Sequence, residues 1–407
     1  MKCGLLGRKL GHSYSPQIHA LLGNYSYQLF EKEPEEIGDF LKNGDFTGLN
    51  VTIPYKKEVI PFLDELSPAA ARLGAVNTIV RRDGKLIGHN TDYFGFRRLV
   101  QESGLQVAGK KVLVLGSGGA SSTAVAVLQE LGAKVTIISR SGENNYENLE
   151  RHADAAVIAN TTPVGMYPNT GKSALSLEGF PRLEGVLDAV YNPARTQILL
   201  DAERRGLAAV NGLWMLVAQA KESAEWFTGE EIPDSRIAKI HHTLRLQMEN
   251  IILIGMPGCG KTAVGQQLAQ KLGKKFVDAD ESLEARVCRK ITDIIPNDGE
   301  AAFREMESET LAELGKQSGL VIATGGGCVT QPQNYPLLHQ NGTIFWLKRE
   351  LDKLPTDGRP LSQKGTLGQM YEARMPLYLR FADAAISNDG SIAETASAIC
   401  RKLEETT

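Results

Sequence analysis

The strongest single restriction on the fold of this chain is a short apolar run, Asn250-Ile-Ile-Leu-Ile254, that leads into Gly255-x-x-x-x-Gly260-Lys261-Thr262 and then an apolar-periodic stretch from Ala263 to Leu272. Strand, glycine-rich turn and helix in that order make a phosphate cradle, the P-loop. The glycines let backbone N–H groups turn inward on phosphate oxygens, and the helix N-terminus adds partial positive charge. Lys261 reaches the outer phosphates, and the Thr262 hydroxyl suits Mg2+. Gly258, Cys259, Gly260, Lys261, Thr262 and Ala263 are therefore candidate nucleotide contacts.

The same grammar occurs once more, earlier in the chain. Lys111-Val-Leu-Val-Leu115 is followed by Gly116-Ser-Gly118-Gly119-Ala120-Ser121, a helical stretch from Ser122 to Leu131, and a second strand, Lys134-Val-Thr-Ile-Ile138, that ends at Ser139-Arg140. This is a dinucleotide-type turn whose last small position is Ser instead of Gly. An NAD site normally places a carboxylate near the end of the second strand to hold the ribose hydroxyls, whereas this chain offers Arg140 and neighbouring hydroxyls, so NADP is expected. Gly116, Gly118, Gly119, Ala120, Ser139 and Arg140 are the candidate contacts. Two cradles of different type, far apart, predict two nucleotide sites on two sheets. The 407 residues exceed what one core usually holds, which agrees.

Composition removes other classes. A net charge of -3 gives no basic field for nucleic acid, and no apolar run approaches the length of a membrane span or a secretory signal. Five scattered cysteines with no C-x-x-C pair argue against a disulfide framework or zinc site. A cytoplasmic enzyme with small-molecule substrates is expected.

After the P-loop, Phe276-Val-Asp278-Ala-Asp280 sets two carboxylates at strand spacing, which predicts one side of a strand end, one acid for Mg2+ and the other for an acceptor hydroxyl. Then come Gly299-Glu-Ala-Ala-Phe-Arg304-Glu-Met-Glu307, Thr324-Gly-Gly326-Gly327, Gly358-Arg359-Pro-Leu361 and Arg374-Met-Pro-Leu-Tyr378. With these motifs residues 249–407 resemble shikimate kinase. The resemblance implies that Asp280 holds the substrate hydroxyls and accepts a proton, and that Asp278 and Thr262 serve the metal. It also implies that Arg304 and Arg374 clamp the carboxylate, that Gly326 and Gly327 touch the substrate through backbone, and that Arg359 comes from a lid. The segment before Arg359 is shorter than the family's lid, with Arg349 and Lys353 the basic residues nearest to it.

In the first half, Gly11-His-Ser13-Tyr-Ser15-Pro-Gln-Ile-His19, Gly48-Leu-Asn50-Val-Thr52-Ile-Pro-Tyr-Lys56, Gly74-Ala-Val-Asn77-Thr78 and Gly88-His-Asn-Thr91-Asp92 precede the dinucleotide turn. Asn160-Thr-Thr162-Pro-Val-Gly165, Asp188-Ala-Val-Tyr191-Asn-Pro193 and Gly212-Leu-Trp-Met-Leu-Val-Ala-Gln219 follow it. The ordered set resembles shikimate dehydrogenase. The resemblance implies catalysis by Lys56 and Asp92, and substrate binding by Ser13, Ser15, Asn50, Thr52, Asn77, Gln219 and Tyr191. Cofactor contacts at Thr162 and Gly212 follow from it as well, while His12 and His19 are structural. Between Arg140 and Asn160 the chain is shorter than the family's strand and helix there, which predicts a trimmed cofactor domain.

The expected architecture is thus α/β throughout: a substrate-binding domain (1–96 plus 212–242), a Rossmann-like NADP domain (97–211), a linker (243–248) and a nucleoside-monophosphate-kinase-like P-loop domain with a parallel sheet (249–407). The expected activities are NADPH-dependent reduction of 3-dehydroshikimate to shikimate and phosphorylation of shikimate by ATP and Mg2+. Two rivals remain at this point: quinate or NAD in the dehydrogenase half, and one half reduced to a binding module.

Overall fold

The computed structural model describes residues 1–11, 13–354 and 367–405. The chain divides into one compact unit of Met1–Val164, Ser173–Tyr191 and Ile198–Thr243, and another of Gly165–Lys172, Asn192–Gln197 and Leu244–Thr407. The residues expected to form a linker are not a separate stretch, because the helix Ser235–Met248 covers them. Nothing in Ile240 to Met248 stops a helix: the stretch holds no Gly or Pro.

The first unit contains two sheets. Strands β1 (Lys2–Gly7), β2 (Ser26–Glu31), β3 (Gly48–Val51), β4 (Glu65–Leu66), β5 (Thr78–Arg82) and β6 (Lys85–His89) form a six-stranded sheet in the order β2-β1-β3-β5-β6-β4. It is mixed: β1 runs parallel to β2 and β3, whereas β5 is antiparallel to both β3 and β6. The β5–β6 hairpin explains the reversal, since Asp83 and Gly84 both take positive φ in its two-residue turn. Strands β7 (Lys111–Leu115), β8 (Lys134–Ile138), β9 (Val157–Asn160), β10 (Gly185–Asp188) and β11 (Ala208–Val210) form a parallel sheet ordered β11-β10-β9-β7-β8. The chain leaves β7 towards β8 on one side and returns to β9 on the other, so a crevice opens at the C-terminal ends of β7 and β9. Between β8 and β9 there is a turn and one 3-10 segment, Leu149–His152, in line with a trimmed domain.

In the second unit β12 (Asn250–Ile254), β13 (Lys275–Asp278), β14 (Leu320–Ala323), β15 (Gly342–Lys348) and β16 (Ala384–Ser387) form a parallel sheet ordered β13-β14-β12-β15-β16. Every residue of β12 is buried, as a central parallel strand with both faces covered requires. Its Ile251, Ile252, Leu253 and Ile254 side chains each contribute about 1.5–3 kcal/mol by leaving water. That packing fixes the strand from which the P-loop springs. Among the described residues no helix is long and apolar enough to cross a membrane.

Candidate active sites

In the first unit the chemistry gathers where β3, the segment after it and the start of the helix Asp92–Glu102 meet. Lys56 Nζ donates to Asp92 Oδ2 at 2.5 Å, with side chains 27% and 13% exposed, so the pair is partly buried yet still accessible. Beside it, Asn77 Nδ2 points at Gln219 Oε1, 3.5 Å away, from the helix Leu213–Thr228. Ser13 and Ser15 lie at the N-terminus of the helix Ser15–Leu22, where the Ser15 N–H donates to Ser13 Oγ at 3.2 Å. Helix N-terminal N–H groups there suit a carboxylate. Tyr191 packs edge-on against Tyr14 of the same turn, ring centroids 6.1 Å apart, and Thr52 is half-buried one residue beyond β3.

Asn50 behaves differently from the expectation. It is 5% exposed, and its amide is engaged at both ends: Oδ1 accepts from the Tyr27 hydroxyl at 2.7 Å and Nδ2 donates to Ser223 Oγ at 2.7 Å. It lies behind the site, in a buried polar cluster that also holds Thr78 and Thr91. Sequence reasoning missed Tyr27 and Ser223, because hydroxyls so far apart in the chain carry no local pattern, and it gave Thr91 no role of its own within the Gly88 to Asp92 motif. His19 is structural: it stacks on Tyr27, its Nδ1 lies 2.6 Å from the Tyr25 hydroxyl, and burial pushes its pKa down to about 3. His12 lies outside the described residues.

The dinucleotide turn stands at the crevice of the parallel sheet. The helix it opens runs Gly119–Glu130, three residues earlier than the periodicity suggested, with Gly118 as N-cap. Gly116 takes φ +110°, where a side chain would be strained, and a Cβ there would stand 3.1 Å from Thr161 Oγ1 and 3.2 Å from Thr162 Cγ2. Thr162 itself is fixed by Asn160, whose Oδ1 accepts from its N–H and its hydroxyl. A Cβ on Gly212 would fall 2.1 Å from the Ala189 carbonyl oxygen, so glycine alone lets the start of Leu213–Thr228 come this close to the end of β10. Ser139 is half-buried and Arg140 exposed just past β8. A narrow glycine cradle with an exposed arginine at the strand end fits a dinucleotide with an extra phosphate.

In the second unit a cavity of about 420 Å³ is lined by Pro257, Gly258, Gly260 to Ala263, Asp278, Asp280, Arg304, Glu307, Gly325 to Gly327 and Arg374, with Ile291, Ile295 and Phe303 on its apolar wall. Cys259 is the exception among the expected nucleotide contacts: it is fully buried and faces the core, though its backbone belongs to the loop. Lys261 Nζ donates to the Gly255 and Met256 carbonyls at 2.9 and 3.1 Å and lies 4.0 Å from Cys259 Sγ, a weak acceptor that a phosphate oxygen would displace. Thr262 Oγ1 donates to Asp278 Oδ2 at 2.9 Å. A hydroxyl and a carboxylate together at the end of a P-loop fit Mg2+, whose other ligands would be waters and phosphate oxygens.

The two acids are not on one strand. β13 ends at Asp278, whose Oδ1 accepts from the Asp280 and Glu281 N–H groups and so caps the helix Ala279–Val287; Asp280 belongs to that helix's first turn. An aspartate that can cap its own following residues turns the chain at once. Both still face the cavity. Burial first, then the neighbouring Glu307 and Asp278 carboxylates, push Asp280 up to about pKa 6. Arg304 is buried and donates to Glu307 at 2.8 Å and Glu300 at 3.1 Å, and burial raises Glu307 above the usual carboxylate range despite that arginine. Glu307, one turn after Arg304, is a cavity residue to which the sequence assigned no role.

Glycines 325 to 327 are there for contact. A Cβ on Gly327 would lie 2.2 Å from Arg304 Nη2, and one on Gly325 2.5 Å from Glu307 Oε1. The Gly326 carbonyl accepts from Arg374 Nη1 at 3.2 Å and from the Tyr378 hydroxyl at 2.5 Å. Arg349 is half-buried near Gly260, while Lys353 is held by Glu350 at 2.7 Å. Arg359 lies outside the described residues.

Fold and sites together define two classes: an oxidoreductase with a dinucleotide cradle beside a Lys–Asp pair, and a P-loop small-molecule kinase. Comparison with known proteins makes both particular. Residues 5–79 match the shikimate dehydrogenase substrate-binding domain and residues 257–404 match shikimate kinase. The shikimate dehydrogenase (NADP(+)) of Clostridium perfringens strain SM101 is 38% identical over 264 residues, covering 60% of this chain and 97% of that protein. Shikimate dehydrogenase 1 of Peptoclostridium difficile superposes with TM-score 0.55 at 38% identity over 60% of this chain and 98% of its own. Shikimate 5-dehydrogenase of Thermus thermophilus, solved with NADP(H) and shikimate, gives 0.54 at 30% identity over 60% and 99%. The chain belongs to the shikimate dehydrogenase family and carries a shikimate kinase domain after it. It is a bifunctional enzyme of the shikimate pathway, with NADP and ATP as the nucleotides of its two families.

Proposed function

We propose that Lys56 and Asp92 carry the reduction of 3-dehydroshikimate and that Asp280 carries the phosphorylation of the resulting shikimate. The reading rests above all on two geometries: the 2.5 Å Lys56–Asp92 pair and the Asp280 carboxylate set among other acids in the P-loop cavity. In the first site the bound NADPH supplies a hydride to the ring carbonyl carbon. As that C–H bond forms, the C=O π pair moves to oxygen and the Lys56 ammonium gives it a proton. Asp92 holds the ammonium towards the ring. Asn77 and Gln219 bind ring hydroxyls, and Ser13 and Ser15 bind the carboxylate with the helix N-terminus behind them. Thr52 and Tyr191 complete the wall. Asn50 supports from behind.

In the second site ATP, with Mg2+ at Thr262 and Asp278, supplies the phosphoryl group. Arg304 and Arg374 offer planar donor pairs to the substrate carboxylate, and the acids beside Arg304 offset its burial. Asp280 would accept the 3-hydroxyl proton as that oxygen forms its bond to the γ-phosphorus and the bond from that phosphorus to the bridging oxygen breaks, with ADP as the leaving group. A carboxylate made more basic by its neighbours is a better acceptor than an ordinary aspartate. The product of one site is then the substrate of the other, in a cytoplasmic setting. A coupled assay with 3-dehydroshikimate, NADPH, Mg2+ and ATP tests this. Lys56→Ala should give neither product from 3-dehydroshikimate yet still phosphorylate added shikimate, and Lys261→Ala should stop at shikimate; variants that lose neither step would end the proposal.

A further inference from the structure

Ser223 has no role in the chemistry above, yet its hydroxyl has four hydrogen-bond neighbours in the buried polar cluster near it. It sits one turn beyond Gln219 on the helix Leu213–Thr228 and is fully buried. Its Oγ lies 2.7 Å from Asn50 Nδ2, 2.9 Å from Thr78 Oγ1, 3.0 Å from Thr91 Oγ1 and 2.9 Å from the Gln219 carbonyl oxygen. One hydroxyl has a single proton and two lone pairs, so these four neighbours restrict each other. The carbonyl can only accept, and so takes the Ser223 proton. Asn50 turns its Nδ2 to Ser223, because its Oδ1 receives the Tyr27 hydroxyl. One lone pair is left for a threonine.

The rest of the chain of bonds follows. The Thr91 backbone N–H donates to Asn77 Oδ1 at 2.7 Å, which fixes the orientation of that amide. Asn77 Nδ2 therefore donates to Thr91 Oγ1 at 3.0 Å, and Thr91 passes its own proton on to Ser223. Thr78 turns to Asn77 Oδ1 at 3.2 Å. The second Asn77 N–H has only Gln219 Oε1, at 3.5 Å, the limit of a hydrogen bond. The site thus holds a donor and an acceptor joined only by a bond at the limit of contact, which a single substrate hydroxyl can replace by bonding to both. Thr91 supports the same view. It is the N-cap of Asp92–Glu102, where threonine usually bonds the helix's own N–H groups, yet it makes no such bond. Its hydroxyl is spent inward.

We infer that Ser223 is a positioning residue: it sets the direction of the Asn77-to-Thr91-to-Ser223 hydrogen-bond chain, so that Asn77 and Gln219 face a substrate hydroxyl as a matched donor and acceptor. Without Ser223, Thr91 turns its proton to Asn77 Oδ1, 3.3 Å away, and the amide loses its fixed presentation. The inference rests on the dehydrogenase reading above. The test is steady-state reduction of 3-dehydroshikimate by the full chain. Ser223→Ala should raise KM about tenfold, the loss of one well-placed hydrogen bond, with kcat within about twofold. Thr91→Val, close in shape, should do the same and decides the matter if Ser223→Ala does not fold. In an Asn77→Ala background, Ser223→Ala should add less than about a twofold change, since both act through one group. An unchanged KM in both single variants, or a full tenfold effect in both backgrounds, overturns the inference. A wild-type chain that does not reduce the substrate sinks the dehydrogenase reading instead.

Discussion

The two active sites each use an aspartate near a lysine, but they treat the carboxylate in opposite ways. In the dehydrogenase site Asp92 touches Lys56 directly, and the two opposite charges form a partly buried pair. In the kinase site Lys261 is turned to backbone carbonyls, and Asp280 is left with Glu307 and Asp278 for company. The first arrangement puts an N–H donor where the proposed reduction needs one. The second raises the affinity of a carboxylate for a proton, ready to receive one. On the roles proposed above, the surroundings of an acid, more than its identity, decide which way a proton moves.

Removing the lysines should disturb that contrast most. Lys56→Ala should cut the reduction rate by about 10²–10⁴ with the kinase rate unchanged, and Lys261→Ala should do the reverse, read by NADPH oxidation and ADP release. Asp280→Asn keeps the shape and removes the base, so kcat for phosphorylation should fall by about 10²–10³ with shikimate still bound. Gly327→Ala pushes a methyl group into Arg304 and should raise the KM for shikimate about tenfold, with the KM for ATP little changed. Glu307→Gln is the mildest probe and isolates the effect of one neighbouring charge. The wild-type kinase should lose kcat/KM as pH falls through about 6, where Asp280 takes up its proton. Removing the Glu307 charge should move that limb down by about half a unit to one unit, and a profile that stays in place would mean that Asp280 is not the group observed.

Much of this was legible in the chain itself. Both cradle strands, β7 and β12, begin and end where the apolar runs do, because a buried parallel strand is a continuous apolar run stopped by glycine. The helices after them start earlier than their apolar periods, since Gly119 and Lys261 join the first turn without adding to the hydrophobic face. The alternation of Asp278 and Asp280 misled, for capping is a local hydrogen-bond choice that an alternating pattern also fits. The mixed order of the first sheet and the buried cluster around Ser223 were out of reach. Asn50 and Ser223 are 173 residues apart, and only tertiary folding brings an amide to a hydroxyl over that span.

The raised proton affinity of Asp280 also bears on the two steps in series. Reduction takes up one proton for each ketone converted, so acid favours its equilibrium, while the same acid fills the carboxylate proposed as the acceptor in phosphorylation. In a mildly acidic medium the phosphorylation step should therefore slow, and wherever reduction keeps its pace free shikimate should build up around the enzyme. Acidity would thus divert carbon from the phosphate ester to the unphosphorylated acid without any regulator binding.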